Sequence, residues 1–113
     1  MIKLNKWAIP NWLEEKVKKR DKFCAYCNIK LKEYPLKKGT PLDKATWEHI
    51  DNDGPLGTES NVVRCCCSCN SSKGTKKLSD WLESSYCKEK KINEKTIKNI
   101  IVRRFLKNLT KKA

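Results

Sequence analysis

Seven cysteines are the residues of this sequence with the clearest capacity for chemistry. Two couples share a spacing of two intervening residues, Cys24 with Cys27 and Cys66 with Cys69. This spacing lets both sulfurs of a couple reach one tetrahedral Zn²⁺ at about 2.3 Å. In a cytosolic chain a metal site explains paired cysteines better than disulfides do. We therefore expect these four residues to bind one zinc ion, with buried free thiols as the alternative.

The second couple has more than one possible register, because Cys65 and Cys67 flank Cys66. Only Cys66 with Cys69 reproduces the spacing of the first couple. The 38 residues between Cys27 and Cys66 far exceed the roughly 15 to 20 of a simple four-cysteine finger. The zinc is thus expected to be structural and to clamp a folded segment at both ends. The remaining cysteines are expected to pack as small apolar side chains; they are Cys65, Cys67 and Cys87.

The clamped segment contains His49, the only histidine of the chain, directly after Glu48. A lone histidine is more often an ordinary polar residue than a catalyst. Neighbouring side chains of a strand point to opposite faces, so a carboxylate and an imidazole could approach one phosphate from different sides. Asn70 diverges by about 100° from Cys69 on a predicted helix and could face the hairpin or cap the backbone. Lys73 shares its side, where phosphate contact and simple solvation are equally compatible with the sequence.

In their order, these residues resemble the HNH endonuclease family, in its four-cysteine zinc-binding branch. The resemblance covers Cys24 to Gly74 and rests on Cys-x-x-Cys, Glu-His-Ile and Asn-Val-Val-x-x-Cys-x-x-Cys-Asn-x-x-Lys-Gly. It implies a ββα-metal core in which two strands and a helix surround one divalent ion. By resemblance His49 is the general base and Asn61 braces the loop between the strands. Glu48, where many members have Asp, and Asn70 would bind the ion.

The resemblance also implies the reaction, which is hydrolysis of phosphodiester bonds in DNA. His49 would take a proton from the attacking water, while the ion would stabilise charge on the phosphate and the leaving 3′ oxygen. Mg²⁺ suits such oxygen ligands, and Mn²⁺ or Ni²⁺ could replace it. The expected products carry a 5′-phosphate and a 3′-hydroxyl. Asp51 and Asp53 are further oxygen donors that the motif does not cover.

The charge distribution favours a polyanionic partner. The formal net charge is +13, and binding driven by counterion release should weaken steeply with salt. Ten basic and two acidic side chains give residues 88–113 a net charge of +8, whereas residues 43–60 carry −4. A carboxylate cluster in a basic protein suggests a cation site. The residues expected to contact nucleic acid are Lys73, Lys76, Lys77, Arg103 and Arg104.

The pattern of the chain predicts one α+β domain over residues 1–113, with its core at about 22–75. A capping pair, Asn11 with Glu14, predicts a helix over about 11–21. Strands are predicted at 45–50 and 62–65 around a turn-rich loop, and a helix at 67–74. Residues 29–44 read as a loop with at most a short strand. Basic helices should follow at about 80–110, one opening at Asp80 and another at Asn93 or Glu94.

No apolar run approaches the roughly 20 residues of a membrane-spanning helix. The first ten residues are too polar for a signal peptide, so the cytoplasm is the expected location. The main alternative function is a non-catalytic zinc-binding module that binds DNA or RNA. A third is an inactive relative that serves as an interaction domain. The order of Glu48, His49, Asn61 and Asn70 favours the enzyme.

Overall fold

The computed structural model describes residues 9–34 and 41–111, with the backbone only for the last two. Its strands form a two-stranded antiparallel sheet, in which Ala45 lies opposite Cys66 and His49 lies opposite Val62. The fold is therefore a small α+β arrangement in which a β-hairpin leads directly into a helix, as predicted. The elements in chain order are α1 (Asn11–Arg20), β1 (Ala45–His49), β2 (Val62–Cys66), α2 (Cys67–Lys73), α3 (Leu78–Leu82), α4 (Ser85–Lys90) and α5 (Ile100–Lys111).

The two faces of the hairpin contact different helices. Thr46 accepts a hydrogen bond from Asn70 of α2 at 2.9 Å, so Thr46 and the alternate residue Glu48 belong to the α2 face. Trp47 packs instead against the apolar cluster built on α1. His49 alternates with Trp47 on this second face. The sheet thus separates the side chains of Glu48 and His49 onto opposite sides.

Helix α1 covers its face of the sheet with a short apolar stripe. Leu13 and Val17 lie four residues apart and are fully buried, together with Ile9 and Val62. Burying such side chains contributes about 1.5 to 3 kcal/mol each. The predicted cap is not formed, because the N-cap position is Pro10 and makes no side-chain hydrogen bond. Proline is favourable at the start of a helix because its fixed φ suits the entry of the chain.

A larger core lies on the other side of the hairpin. Trp81 of α3 is fully buried and meets the edge of Tyr26 at a ring-centroid distance of 4.9 Å. The indole Nε1–H of Trp81 donates to Ser72 Oγ at 3.0 Å, which satisfies its one polar atom. This core also includes Val63 and Ile97. The segments around the hairpin are therefore joined by apolar burial as well as by the cysteines.

The C-terminal helices differ from the prediction at their boundaries. The single helix expected from Asp80 is two helices, of which the first begins at Leu78 and ends at Leu82. The backbone of Ser84 is extended, and its side chain caps α4 by accepting from Cys87 N–H at 3.3 Å. The next helix begins at Ile100 rather than at residue 93 or 94. Asn93 Oδ1 accepts from the backbone of residues 95 and 96 in a turn, and Asn99 Oδ1 accepts from residues 101 and 102. Local side-chain bonds to the backbone thus set both boundaries.

None of the helices among the described residues is long and apolar enough to cross a membrane.

Candidate metal centre and active site

The sulfur atoms of Cys24, Cys27, Cys66 and Cys69 form one compact group. All four lie within 4.8 Å of one another, and Cys27 Sγ is 3.7 Å from Cys66 Sγ. Four sulfurs at about 2.3 Å from a tetrahedral zinc would be roughly 3.8 Å apart. The group therefore has the donor set and the spacing to hold a metal ion. It contains the Cys66 with Cys69 couple that the matched spacing favours.

Backbone amides stabilise negative charge on this group. The N–H groups of Tyr26 and Cys27 donate to Cys24 Sγ, and the N–H of Cys69 donates to Cys66 Sγ, each at 3.4 Å. Hydrogen bonding led by Cys24 lowers the pKa of the Cys27 thiol, whereas the same neighbour raises the pKa of Cys69. Four such close thiols cannot all ionise without a cation among them.

The other cysteines lie outside the group. Cys65 and Cys87 are fully buried in the larger core, as expected for small apolar side chains. Cys67 differs, because it is only partly buried and lies 3.9 Å from Ser71 Oγ. The sequence also gave no sign that Tyr86 would reach the centre, although its hydroxyl donates to Cys69 Sγ at 3.3 Å.

His49 ends strand β1, and its ring is fixed by the loop that follows. Its Nε2 lies 2.8 Å from the carbonyl oxygen of Leu56. A carbonyl oxygen can only accept, so Nε2 carries the proton and Nδ1 of the neutral ring keeps the lone pair. The residue is 9% exposed. The imidazole is therefore held in a defined tautomer near the surface of the α1 side.

Asn61 joins the two ends of that loop. Its Oδ1 accepts from Asp51 N–H at 2.8 Å, and its Nδ2 donates to the carbonyl oxygens of Asp51 at 2.9 Å and Pro55 at 2.8 Å. The backbone adds a fourth bond, from Ile50 N–H to Asn61 O at 3.1 Å. The side chain is thus placed as a brace for the loop that carries Leu56.

Lys73 corrects the expectation of a phosphate contact. Its side chain is fully buried, and its Nζ lies 3.1 Å from Glu48 Oε2 and 3.3 Å from the carbonyl oxygen of His49. A fully buried ammonium that is paired inside the protein is not available to a ligand at the surface. The prediction for Lys73 was therefore wrong, because tertiary burial overrides the exposure expected of a helical lysine.

Glu48 also has a different setting from the one that the resemblance implies. The residue is 4% exposed, and its Oε2 accepts from the Tyr26 hydroxyl at 2.8 Å as well as from Lys73. Burial raises the pKa of this carboxyl group, while Lys73 and Tyr26 act in the opposite direction. The carboxylate is the internal counterion of Lys73. Its Oε2 is taken by these two partners, so Oε1 is the atom left for the ligand role that the resemblance implies.

Asn70 faces the hairpin, on the same side as Glu48. Its Nδ2 donates to Thr46 Oγ1 and to the carbonyl oxygen of Trp47, both at 2.9 Å. The two bonds fasten the first half of α2 to the middle of β1. They leave Oδ1 as the one atom of the amide that could bind a cation. Asn70 Oδ1 and Glu48 Oε1 are therefore the oxygens of this pair that remain for a divalent ion, whose other ligands would have to come from elsewhere.

Exposed basic residues surround the loop and α5. Lys76 and Lys77 are exposed after α2, and Arg103 and Arg104 are exposed on α5. Both arginines line a groove of about 760 Å³ with Lys95. Arg104 also lines a cleft of about 380 Å³ that reaches the loop residues braced by Asn61. Arg104 therefore lies between the groove beside α5 and the loop that holds the His49 ring.

A stretch of 64 residues, 55% of this chain, is 38% identical to "SPbeta prophage-derived putative HNH endonuclease YoqL" of Bacillus subtilis (strain 168). The matched stretch spans 27% of the length of that protein. No family model matches the chain, and no solved structure matches it. The similarity thus extends over about half of this chain and about a quarter of the relative.

Proposed function

We propose that this chain is an HNH-type endonuclease that hydrolyses phosphodiester bonds in DNA. The observation that carries the proposal is the fixed ring of His49, whose Nε2 is held by the Leu56 carbonyl at 2.8 Å so that Nδ1 is the basic atom. The ring stands at the end of a hairpin that leads into α2. The partial similarity to a protein that bears an HNH endonuclease name supports the same function.

The proposed reaction needs one proton acceptor at a defined position. Neutral His49 accepts a proton from water at Nδ1, and the water oxygen attacks phosphorus. The bond from phosphorus to the 3′ oxygen then breaks, and the 3′ oxygen takes a proton from solvent. The products are a 5′-phosphate and a 3′-hydroxyl. The Leu56 carbonyl stabilises the imidazolium that forms, because it continues to accept the Nε2–H bond.

The four-cysteine group is proposed to hold a structural Zn²⁺. Two cysteines come from the turn before the hairpin and two from the junction of β2 with α2. An ion bound by all four sulfurs has no open position for substrate, so its role is to hold the hairpin between these two segments. Binding of this kind contributes directly to folding in small domains.

The resemblance to HNH nucleases also implies a catalytic divalent ion, Mg²⁺ or alternatively Mn²⁺ or Ni²⁺. Lys73 and Tyr26 both contact Oε2 of its supposed ligand Glu48, so a site made by Glu48 with Asn70 would use Glu48 Oε1 and Asn70 Oδ1. Dependence of cleavage on each ion is therefore a separate measurement. Asn70→Asp tests the other supposed ligand, because the substitution keeps Oδ1 and adds a negative charge.

The basic surface supports nucleic acid as the partner. The chain has a net charge of +13, and Arg103 and Arg104 lie along the groove beside α5. Each phosphate contact that such a side chain makes releases a counterion, so affinity should fall steeply with salt. Arg103→Ala together with Arg104→Ala should therefore weaken binding and reduce the salt dependence.

A non-catalytic zinc module that binds DNA or RNA is the second candidate. The observations that favour it are the 9% exposure of His49 and the internal pairing of Glu48 with Lys73. In that case the chain would bind nucleic acid without cutting it. The two functions differ in what the His49 ring does, so one residue decides between them.

The test is a cleavage assay on zinc-loaded protein with supercoiled plasmid, single-stranded DNA and RNA. Each substrate is incubated without added ion and with Mg²⁺, Mn²⁺ or Ni²⁺. The proposal predicts that the native protein cuts DNA and that His49→Ala binds it with native affinity but leaves it intact. Binding without cleavage by the native protein under every condition would establish the second candidate instead.

A further inference from the structure

Lys73 is a fully buried ammonium that the proposed reaction does not use. Its Nζ has two partners, Glu48 Oε2 at 3.1 Å and the carbonyl oxygen of His49 at 3.3 Å. A charge in the protein interior is strongly unfavourable unless it is paired and hydrogen-bonded. The two contacts meet this requirement on the α2 face of the hairpin. Lys73 therefore contacts two adjacent residues at the end of β1, the side chain of Glu48 and the carbonyl oxygen of His49.

Tyr26 contacts the same carboxylate from a different segment of the chain. It lies between Cys24 and Cys27, is fully buried, and its hydroxyl donates to Glu48 Oε2 at 2.8 Å. Lys73 follows Cys69 by four residues on α2, which is about one helical turn. Tyr26 lies beside the first cysteine couple and Lys73 lies one turn after the second, and both side chains contact Glu48 Oε2.

Because Glu48 and His49 are adjacent in β1, contacts that fix Glu48 also constrain the direction of the His49 side chain. Residues 48 and 49 share one planar peptide group, and their side chains leave it on opposite faces. Lys73 and Tyr26 hold the Glu48 side chain on the α2 face, and Lys73 also holds the His49 carbonyl. When the Glu48 side chain and the His49 carbonyl are fixed, the direction of the Cα–Cβ bond of His49 on the opposite face of the strand is fixed as well. The Leu56 carbonyl then sets only the rotation of the ring.

We propose that Lys73, through Glu48 and Tyr26, is a positioning residue that couples the four-cysteine centre to His49. This inference rests on the proposed function for its catalytic consequence, but not for its structural content. Glu48 then serves as the link between the centre and the ring. Substituting any member of the link should loosen His49 while the cysteine group keeps its metal.

The test uses the ring of His49 itself, which is the only histidine in the chain. Its two ¹⁵N signals in zinc-loaded protein report the tautomer without assignment of other residues. The variant Lys73→Met with Glu48→Gln removes the pair without leaving a bare buried charge. Tyr26→Phe removes only the hydroxyl, and Lys88→Met is the control, because Lys88 is an exposed lysine on α4.

The native protein and Lys88→Met should show a single tautomer with hydrogen on Nε2. The Lys73 and Glu48 double variant should show a mixture of tautomers at unchanged zinc content, and Tyr26→Phe should show the same change to a smaller degree. Single-turnover cleavage should fall on the order of 10²-fold at unchanged affinity for DNA, since a small misplacement of a reacting group has such an effect.

This design distinguishes failure of the positioning inference from failure of the proposed function. An unchanged, single His49 tautomer in folded, zinc-loaded double variant and in Tyr26→Phe would overturn the positioning inference, whatever the cleavage rates. A native protein that cuts no nucleic acid would refute the proposed function, whereas the coupling would still be decided by the tautomers of the double variant and of Tyr26→Phe. If the double variant does not fold, Tyr26→Phe alone decides through the same signals.

Discussion

Asn61→Ala should cost more stability than any other single substitution in the loop between β1 and β2. The change removes three side-chain hydrogen bonds, one from Asp51 N–H and two to the carbonyl oxygens of Asp51 and Pro55, at 2.8 to 2.9 Å. The side chain is 4% exposed, so water replaces these bonds only in part. With about 0.5 to 1.5 kcal/mol for each bond, the free energy of unfolding should fall by about 2 to 4 kcal/mol.

The assay is urea denaturation of zinc-loaded protein at pH 7, with Asn52→Ala as the matched control. Asn52 lies in the same loop but is exposed, and the hydrogen bond that its side chain donates to the Gly74 carbonyl oxygen is long at 3.5 Å. The control should stay within about 0.5 kcal/mol of the native value. Cleavage by Asn61→Ala should also fall, because the loop carries the carbonyl that orients His49. A variant as stable as the control would refute the assignment of Asn61 as the brace.

The remaining predictions concern the metal, the pH dependence and the loop. Cys69→Ser should lose zinc and melt at a lower temperature, while Cys67→Ser should bind one zinc and melt as the native protein does, since its sulfur lies outside the group; equal zinc contents would contradict the assignment. Glu33→Gln should lower the free energy of unfolding by about 0.5 kcal/mol at neutral pH. The hydrogen bond with Arg64 lowers the pKa of Glu33 in the folded protein, so this contribution is present above the unfolded-state pKa and lost as pH falls through the folded-state pKa. A difference in urea midpoints that grows on acidification would refute this. Gly54→Ala should lower stability by about 1 kcal/mol, because its Cβ would lie 3.3 Å from both Asn61 Nδ2 and Asp51 Oδ2; a denaturation curve identical to the native one would show that the loop has room.

The hairpin and the cysteine couples could be predicted from the sequence because their signals are local. Cys66 with Cys69 repeats the spacing of the first couple, and β-branched residues such as Val62 stand beside a run of turn formers. These features depend on residues a few positions apart. The positions of β1, β2 and α2 accordingly agree with the prediction within one residue.

The environment of Lys73 could not be predicted in the same way. A lysine in the last turn of a short polar helix has the same local pattern whether it is solvated or buried. Its burial depends on Tyr26 and Glu48, which lie 47 and 25 residues away in the sequence. Only the folded arrangement brings these groups to one carboxylate oxygen. The same long-range contact explains why Oε2 of Glu48 is engaged inside the protein, which the family resemblance did not imply.

The helix boundaries after α2 were mispredicted for a different reason. The sequence pattern predicted a helix in the region of α5, but such a pattern does not show where a helix begins. The start was set by Asn99, whose Oδ1 accepts from two backbone N–H groups, and the break before α4 was set by Ser84. Both residue types favour N-cap positions. The signal was present in the sequence, although Asp80 and Asn93 offered competing caps.

The proposed function requires that His49 act as the proton acceptor in phosphodiester hydrolysis. Its most direct test is the single-turnover cleavage rate of a labelled DNA duplex by native protein and by His49→Gln, compared at equal zinc content and with the duplex fully bound. A general base contributes about 10² to 10⁴ in rate, so the substituted protein should be slower by at least about 10²-fold. Equal rates for the two proteins would show that His49 is not the proton acceptor.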